Sequence, residues 1–381
     1  MIQTKMVKIL TSESVTSGHP DKMADQISDA VLDEALRQDP NARVACEVML
    51  TAKKVIIAWE IKANAKIDFE EIARDIIANK VGFDSLEKFY DGNTIPVEVL
   101  IVEQSPDISQ GVDSWWAGDQ WLMFGYATNE TQDLMPFPIF YAHLLAKQLE
   151  KVREEGILPY LYPDGKTQVA AQYDGNKVVR IDSVVVSTQH QKDLDYKKLK
   201  KDILAFVIQP VIGEWIDQDT KIFVNPTWKF HIWWPAADTW LTWRKIIVDT
   251  YGWLARHWWG AFSGKDPTKV DRSAAYMARY LAKNIVAAWL ADRVEIQLSY
   301  AIGVAQPLSI YVDTFGTWKV NTDKIINTIR DNFDLSPAGI IKKLDLTKPQ
   351  YLPTATYGHF WNPDYNWERL EDMEVFKELL I

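Results

Sequence analysis

Pairs of β-rich runs alternate with single amphipathic helices along this chain, and that alternation limits the fold more than any other feature. Residues 20–37 predict a helix: Met23, Ile27, Val31 and Ala35 recur every four residues, Asp and Glu lie between them, and Pro20 suits the first helical position. Residues 44–50 and 54–61 read as a hairpin turning at Thr51, Ala52 and Lys53. Further on, 139–154 predicts a helix, 181–188 a strand and 197–211 a helix. A third set begins near Ile232. There Asp271 is expected to cap a helix over 272–290, and Ile296, Leu298, Tyr300 and Ile302 alternate as in a half-buried strand whose partner holds Ile310, Val312 and Thr314. Strand pairs with helices argue for an α+β architecture, repeated three times. A length of 381 residues agrees, since it exceeds what one core organises.

Two stretches resist this scheme. Residues 91–120 turn to Gly, Ser, Asp, Pro and Gln, and a loop of that length is a candidate lid. Residues 117–131 fit neither a helical nor a strand period, which suggests a special backbone course beside a site. Charge and cysteine narrow the function. A net charge of -10 leaves no broad basic face for nucleic acid, although a local pocket for a small anion remains open. The single cysteine, Cys46, rules out an intrachain disulfide, reads as a small buried apolar residue and fits a reducing compartment. No run approaches the roughly 20 apolar residues of a membrane span, and the N-terminus lacks the apolar stretch of a signal peptide. A cytoplasmic protein without membrane partners is expected.

Three places carry chemistry. In SGHPDK, residues 17–22, a Gly, a His, a Pro and an Asp crowd a helix start, where N–H groups attract anions. His19 could hydrogen-bond a leaving oxygen and Asp21 could hold a hard cation such as Mg²⁺; the same residues also make an ordinary capped helix. In residues 257–276, Gly260, Gly264 and Lys265 stand one residue short of P-loop spacing, with Asp266 where Ser or Thr belongs. An unrelated phosphate-binding ATPase or kinase is therefore a poor match. A phosphate cradle still follows from the small residues, the bare N–H groups and the cations Lys265 and Lys269, with Asp271 as a natural Mg²⁺ ligand; a polar turn before a helix is the plainer alternative. Arg244 and Lys245 either contact a polyphosphate or are a solvated pair.

These motifs, with ARVACE, LMFGYATNET, STQH, RKIIVDTYG and YGHF in the same order, resemble the methionine adenosyltransferase, or S-adenosylmethionine synthetase, family over nearly the whole chain. GHPDKM and AFSGKDPTKVDRSAAY are its most specific segments. The resemblance implies three similar α+β domains, at 1–104, 105–231 and 232–381, with sheets packed inward and at a dimer interface. It implies transfer of the adenosyl group of ATP to the sulfur of L-methionine, then hydrolysis of the triphosphate, in a homodimer or homotetramer with two Mg²⁺ per site and one K⁺ per subunit. His19, Lys166, Arg244, Lys265 and Lys269 resemble the catalytic residues. Asp164, Phe230, Arg244, Lys245 and Lys265 resemble the ATP contacts, and Glu60, Gln104, Asp119, Asp238 and Lys269 the methionine contacts. Asp21 and Asp271 resemble the Mg²⁺ ligands and Glu47 the K⁺ ligand. Residues 104–111 resemble a mobile loop over the site.

The chain departs from the family in one direction. Tryptophan and glycine each occur 17 times. Thirteen of the tryptophans, Trp59, Trp116, Trp121, Trp228, Trp233, Trp234, Trp240, Trp243, Trp253, Trp258, Trp259, Trp289 and Trp361, stand where the family pattern has glycine, whereas Trp215 and Trp367 match family tryptophans. Lys229 also replaces an arginine. Glycine tolerates positive φ and close backbone approach, and tryptophan tolerates neither easily. Two readings of these positions follow: UGA codons meant as glycine and decoded as tryptophan, or an adapted family member whose tryptophans line a remodelled pocket. For function, the alternative to the enzyme is a family-like ATP- and methionine-binding module inactive as written.

Overall fold

The structure, a computed structural model, describes residues 8–85, 90–103, 120–227, 230, 239–258 and 260–380. In chain order the strands are β1 (Lys8–Val15), β2 (Arg43–Leu50), β3 (Val55–Lys62), β4 (Asp84–Ser85), β5 (Tyr90–Asp91), β6 (Val97–Glu103), β7 (Leu122–Thr128), β8 (Leu161–Asp174), β9 (Lys177–His190), β10 (Lys221–Val224), β11 (Trp240–Leu241), β12 (Arg293–Ser299) and β13 (Ser309–Asp313). Helices of eight residues or more are α1 (Pro20–Gln38), α2 (Phe137–Glu154), α3 (Tyr196–Ile203), α4 (Val270–Ala287), α5 (Thr322–Asn332) and α6 (Pro337–Leu344).

Three main sheets run in the orders β1-β8-β9-β10, β11-β2-β3-β6 and β13-β12-β7, beside a small β4-β5 pair. Each draws a strand from a distant part of the chain. β1 lies antiparallel on β8, with Val15 opposite Lys166. β11 lies on β2, with Trp240 opposite Leu50. β7 lies on β12, with Gly125 opposite Ile296. These exchanges tie the three α+β parts together. They place the N-terminus of α1, which follows β1 directly, beside the strand carrying Lys166.

α1 and α4 are interior helices. Met23, Ile27, Val31, Leu32 and Ala35 of α1 are buried in one core cluster with Ala274, Met277, Leu281 and Ile285 of α4. A second core forms under α2 from Leu145, Leu149, Val169, Val184 and Ile203. Pro20 takes the first helical position as expected, with His19 as its N-cap.

Several expectations need correction. Asp271 does not cap α4; the cap is Lys269, and Asp271 lies within the first turn, where an acid favours the helix N-terminus. The expected helix over 197–211 is not continuous, because α3 ends at Ile203 and the turns widen over Leu204–Ile208 before helical geometry resumes at Gln209–Ile212. Part of the candidate lid is a strand: β6 runs parallel to β3. Residues 122–128, read as irregular, form β7, and four successive residues there are buried, so no period of two could appear.

Backbone torsion separates the tryptophans into two kinds. Trp59 (φ 111°), Trp243 (75°), Trp253 (73°), Trp289 (65°) and Trp361 (80°) have positive φ. All five are among the thirteen expected above to replace glycine; Trp121, Trp240 and Trp258 of the same thirteen, like Trp215, Trp318 and Trp367, are not among the positive-φ residues. Trp289 follows Ala288, the C-cap of α4, and thus takes the left-handed position that glycine usually fills. The residue is 67% exposed, with Lys319 Nζ 5.6 Å from its ring, so little packing opposes its removal. Trp289→Gly is therefore expected to raise the unfolding free energy by about 1 kcal/mol. Urea denaturation measures this, and an unchanged or lower midpoint would contradict it.

Candidate active site

The edge of β2 away from β3 organises the site. At one end the Cys46 N–H donates to the Gly264 carbonyl (2.9 Å), the Val44 N–H to Asp266 Oδ2 (2.8 Å), and the Asp266 N–H to the Val44 carbonyl (3.1 Å). At the other, β11 pairs with Met49 and Leu50, and the Thr242 N–H donates to the Val48 carbonyl (3.0 Å). The loop bearing Lys265 and the loop bearing Arg244 and Lys245 thus run along one strand edge. Gly264 has φ 79°, and a Cβ there would collide with the Cys46 carbonyl, so only glycine suits the crossing.

The described candidates form two groups. The first surrounds the start of α1. His19 is fully buried; its Nδ1 accepts from the Asp21 N–H (3.2 Å). A neutral ring that accepts at Nδ1 carries its proton on Nε2, and that atom has no hydrogen-bond partner among the described residues. Burial holds the imidazole pKa well below its usual value, and Lys245, Lys166, Lys22 and Arg244 push it the same way. Asp21 accepts from Lys245 Nζ (2.6 Å) and the Leu241 N–H (3.2 Å), with Arg244 Nε at 4.0 Å. Asp164 is wholly buried, and the neighbouring Gly165 N–H favours its charged form. Burial pushes its pKa up to about 8, against the pull of Lys166 and Lys245. The Trp240 ring meets His19 edge-on at 5.3 Å, and the Arg244 guanidinium lies 5.3 Å from the same ring.

The second group lies on the Gly264 loop. Lys265 Nζ pairs with Asp271 Oδ2 (2.7 Å), and Lys269 Nζ with Asp266 Oδ2 (2.6 Å). Asp271 Oδ1 is buried without a hydrogen-bond partner among the described residues. Ala45 bridges to Lys265 and faces Glu60 across β2 and β3. Glu47 is two residues along the same face; burial raises its pKa and Lys265 opposes the rise. Phe230 is buried at the end of β9, where its carbonyl accepts from the His190 N–H (3.1 Å). Gln104, Asp119, Asp238 and residues 105–111 of the expected loop lie outside the described residues. Among the described residues no group of three His, Cys, Asp or Glu side chains stands ready for a metal ion. The arrangement is nevertheless compatible with Mg²⁺, which takes one or two carboxylates and completes its shell with water and substrate phosphates. Asp271 offers a free oxygen for that role.

Three regions of the chain match domain models of one family. Residues 7–106 match the N-terminal domain of S-adenosylmethionine synthetase, 114–230 its central domain and 232–369 its C-terminal domain. The chain belongs to the S-adenosylmethionine synthetase family. Membership supports methionine adenosyltransferase activity in general and a metal-dependent reaction. No helix among the described residues is long and apolar enough to cross a membrane.

Sequence reading missed the residues that hold these groups in place. Lys22, fully buried, pairs with Asp25 (2.8 Å) and with Asp249. Asp29 holds Arg272 and the Gly264 N–H. The signal was present as Asp21, Asp25, Asp29 and Asp33 at four-residue spacing, but acids on a helix ordinarily mark its wet side. Asp164 supplies a test by pH. Its folded pKa lies above the ordinary 3.8, so the folded chain keeps a proton that the unfolded chain releases, and stability falls as pH rises from 3.8 toward about 8. Asp164→Asn is expected to flatten this slope and to raise the melting temperature at pH 8 by about 2 °C or more. Parallel slopes for the two proteins between pH 5 and pH 8 would contradict the assignment.

Proposed function

We propose that the chain transfers the adenosyl group of ATP to the sulfur of L-methionine, forming S-adenosylmethionine, and then hydrolyses the triphosphate to phosphate and diphosphate. The protonated, unpartnered Nε2 of His19, with Lys166, Arg244 and Lys245 near it, carries this reading. Sulfur attacks the 5′ carbon of ATP; the carbon–sulfur bond forms as the carbon–oxygen bond breaks, and the electron pair leaves on the triphosphate. Thioether sulfur is nucleophilic without a base, so the protein's task is alignment and stabilisation of the leaving charge. His19 Nε2 donates to the departing oxygen. Lys166, Arg244, Lys245, Lys265 and Lys269 bind the triphosphate. Asp164 and Phe230 hold ribose and adenine, and Glu60, Gln104, Asp119 and Asp238, with Lys269, hold methionine. Two Mg²⁺, at Asp21 and Asp271, would neutralise phosphate charge when bound, and K⁺ would sit at Glu47.

The two groups reach one anion when two copies face each other, as a homodimer or homotetramer in the cytoplasm. Leu100 (53% exposed) and Val102 (57%), opposite Ala58 and Glu60 on the β6–β3 face, give such a contact an apolar surface. ATP, methionine, Mg²⁺ and K⁺ together should give S-adenosylmethionine, phosphate and diphosphate. Lys265→Ala or Lys269→Ala should slow adenosyl transfer about 10²–10³-fold. ADP formed without methionine, or a change below about twofold in either variant, would count against the proposal.

A second reading concerns the chain as written. Five tryptophans at positive φ favour glycine as the residue the gene specifies, decoded as tryptophan at UGA. The Trp240 ring contacts both His19 and Arg244, two groups assigned to the triphosphate, and favours a weakened or inactive binding module. Glycine at all thirteen positions is expected to raise S-adenosylmethionine synthesis at least about tenfold, in line with removal of several kcal/mol of strain. The coding DNA supplies the companion test: UGA at the thirteen positions and UGG at Trp215 and Trp367 agrees with decoding, and UGG throughout refutes it.

A further inference from the structure

The Lys265 loop is gripped from behind by a buried ion pair that does not face the anion site. Asp29 of α1 and Arg272 of α4 are both fully buried. Arg272 Nη1 and Nη2 donate to Asp29 Oδ1 (2.7 Å) and Oδ2 (3.0 Å), a two-point contact. The pair also holds loop backbone on either side of one peptide unit. The Gly264 N–H donates to Asp29 Oδ1 (2.9 Å), and Arg272 Nη1 donates to the Lys265 carbonyl (3.2 Å). Arg272 is fixed in turn: Nε donates to Tyr276 Oη (3.0 Å), Nη2 to Thr354 Oγ1 (3.0 Å), and its plane lies 4.2 Å from the Tyr351 ring centre.

We propose that Asp29 and Arg272 are positioning residues that set the aim of Lys265 at the triphosphate; this rests on the binding role given to Lys265 above. Stability alone does not account for the pair. An interior ion pair recovers little more than its desolvation cost, and apolar residues of similar volume often serve as well. What apolar residues cannot do is accept from one loop N–H and donate to the next carbonyl. With both groups tied inward, the Lys265 side chain has one way out. The clamp binds the loop to α1 and α4, which also carry Asp21 and Asp271. Both residues are fully buried and hold the loop by its backbone, so their effect passes through Lys265.

A double-mutant cycle tests this in the catalytically active form of the full chain. Asp29→Asn keeps the shape and loses the charge; Arg272→Lys keeps the charge and loses the fork. Each is expected to lower the adenosyl-transfer rate about 10–100-fold, the cost of a misplaced group of about 1 Å, and to leave the methionine KM within about twofold. In a Lys265→Ala background each should cost less than about threefold more. Equal losses in both backgrounds, or loss of cooperative unfolding in both variants, would overturn the clamp. If Lys265→Ala itself leaves the rate unchanged, the role of Lys265 fails instead, and the two failures are thereby told apart.

Discussion

Four carboxylates spaced four residues apart on one helix cannot be buried unless each finds its own partners, and that requirement arranges the rest of the molecule. Asp21, Asp25 and Asp29 are fully buried and Asp33 is 8% exposed. An unpaired buried charge costs far more than a fold can spare. Each carboxylate recruits a different segment. Asp21 takes Lys245 and the Leu241 N–H; Asp25 takes Lys22 and the Trp243 N–H. Asp29 takes Arg272 and the Gly264 N–H, and Asp33 takes the Gln350, Tyr351 and Leu352 N–H groups. The loops that supply the site's cations are therefore fixed to one rod at intervals of one helical turn, about 5.4–6 Å.

The same ladder controls charge at the site. Lys22 is held as a cation by Asp249 and Asp25 although burial works against it, and its field helps to keep His19 neutral. Asp25 is pushed up to about 7 by burial. Asp164, with a pKa near 8, is largely protonated at neutral pH and adds little negative charge beside Lys166 and Lys245. The cations around His19 thus face an imidazole that keeps a donor proton. Both conditions suit an anion that departs from carbon rather than a substrate that must lose a proton first.

Much of the fold was legible because local period and turn chemistry agreed with tertiary position. α1, the β2–β3 hairpin, α2 and the β12–β13 pair lie within a few residues of their expected bounds. The failures have a common cause. β7 and the polar face of α1 are buried where sequence pattern expects exposure, since a strand covered on both faces shows no alternation and a buried acid looks like a surface acid until its partner is known. The motif residues were legible by type. Their grouping was not: Arg244 and Lys245 are near Lys265 in sequence, yet Lys245 pairs with Asp21 and Arg244 lies 4.0 Å from it, because β11 and the Gly264 loop reach opposite ends of β2.

The tryptophans show how far a backbone keeps the conformation its fold demands when side chains argue against it. Trp59 is in β3 opposite Cys46, on the face that buries Val44 and Val48, yet φ is 111° and the ring is 53% exposed. A strand residue that belonged there would point inward with negative φ. Left-handed backbone costs a bulky L-residue about 1–2 kcal/mol, and five such sites together approach the whole stability of an ordinary domain, about 5–15 kcal/mol. Packing offsets little of that strain at Trp59, Trp243, Trp253 and Trp289, all more than 40% exposed, whereas Trp361 packs on Phe140 and His143 and donates its indole N–H to the Tyr357 carbonyl (2.8 Å). Strain kept for function gathers at the reacting groups. Here it appears also at the C-terminus of α4 and beneath the Trp361 ring, which stacks on His143 6.3 Å away. Tryptophan accounts for five of the eleven described non-glycine residues with positive φ, beside Leu134, Asp193, Asn225, Phe315, Asp345 and Tyr357, so the strain is spread over the fold and is not confined to the site.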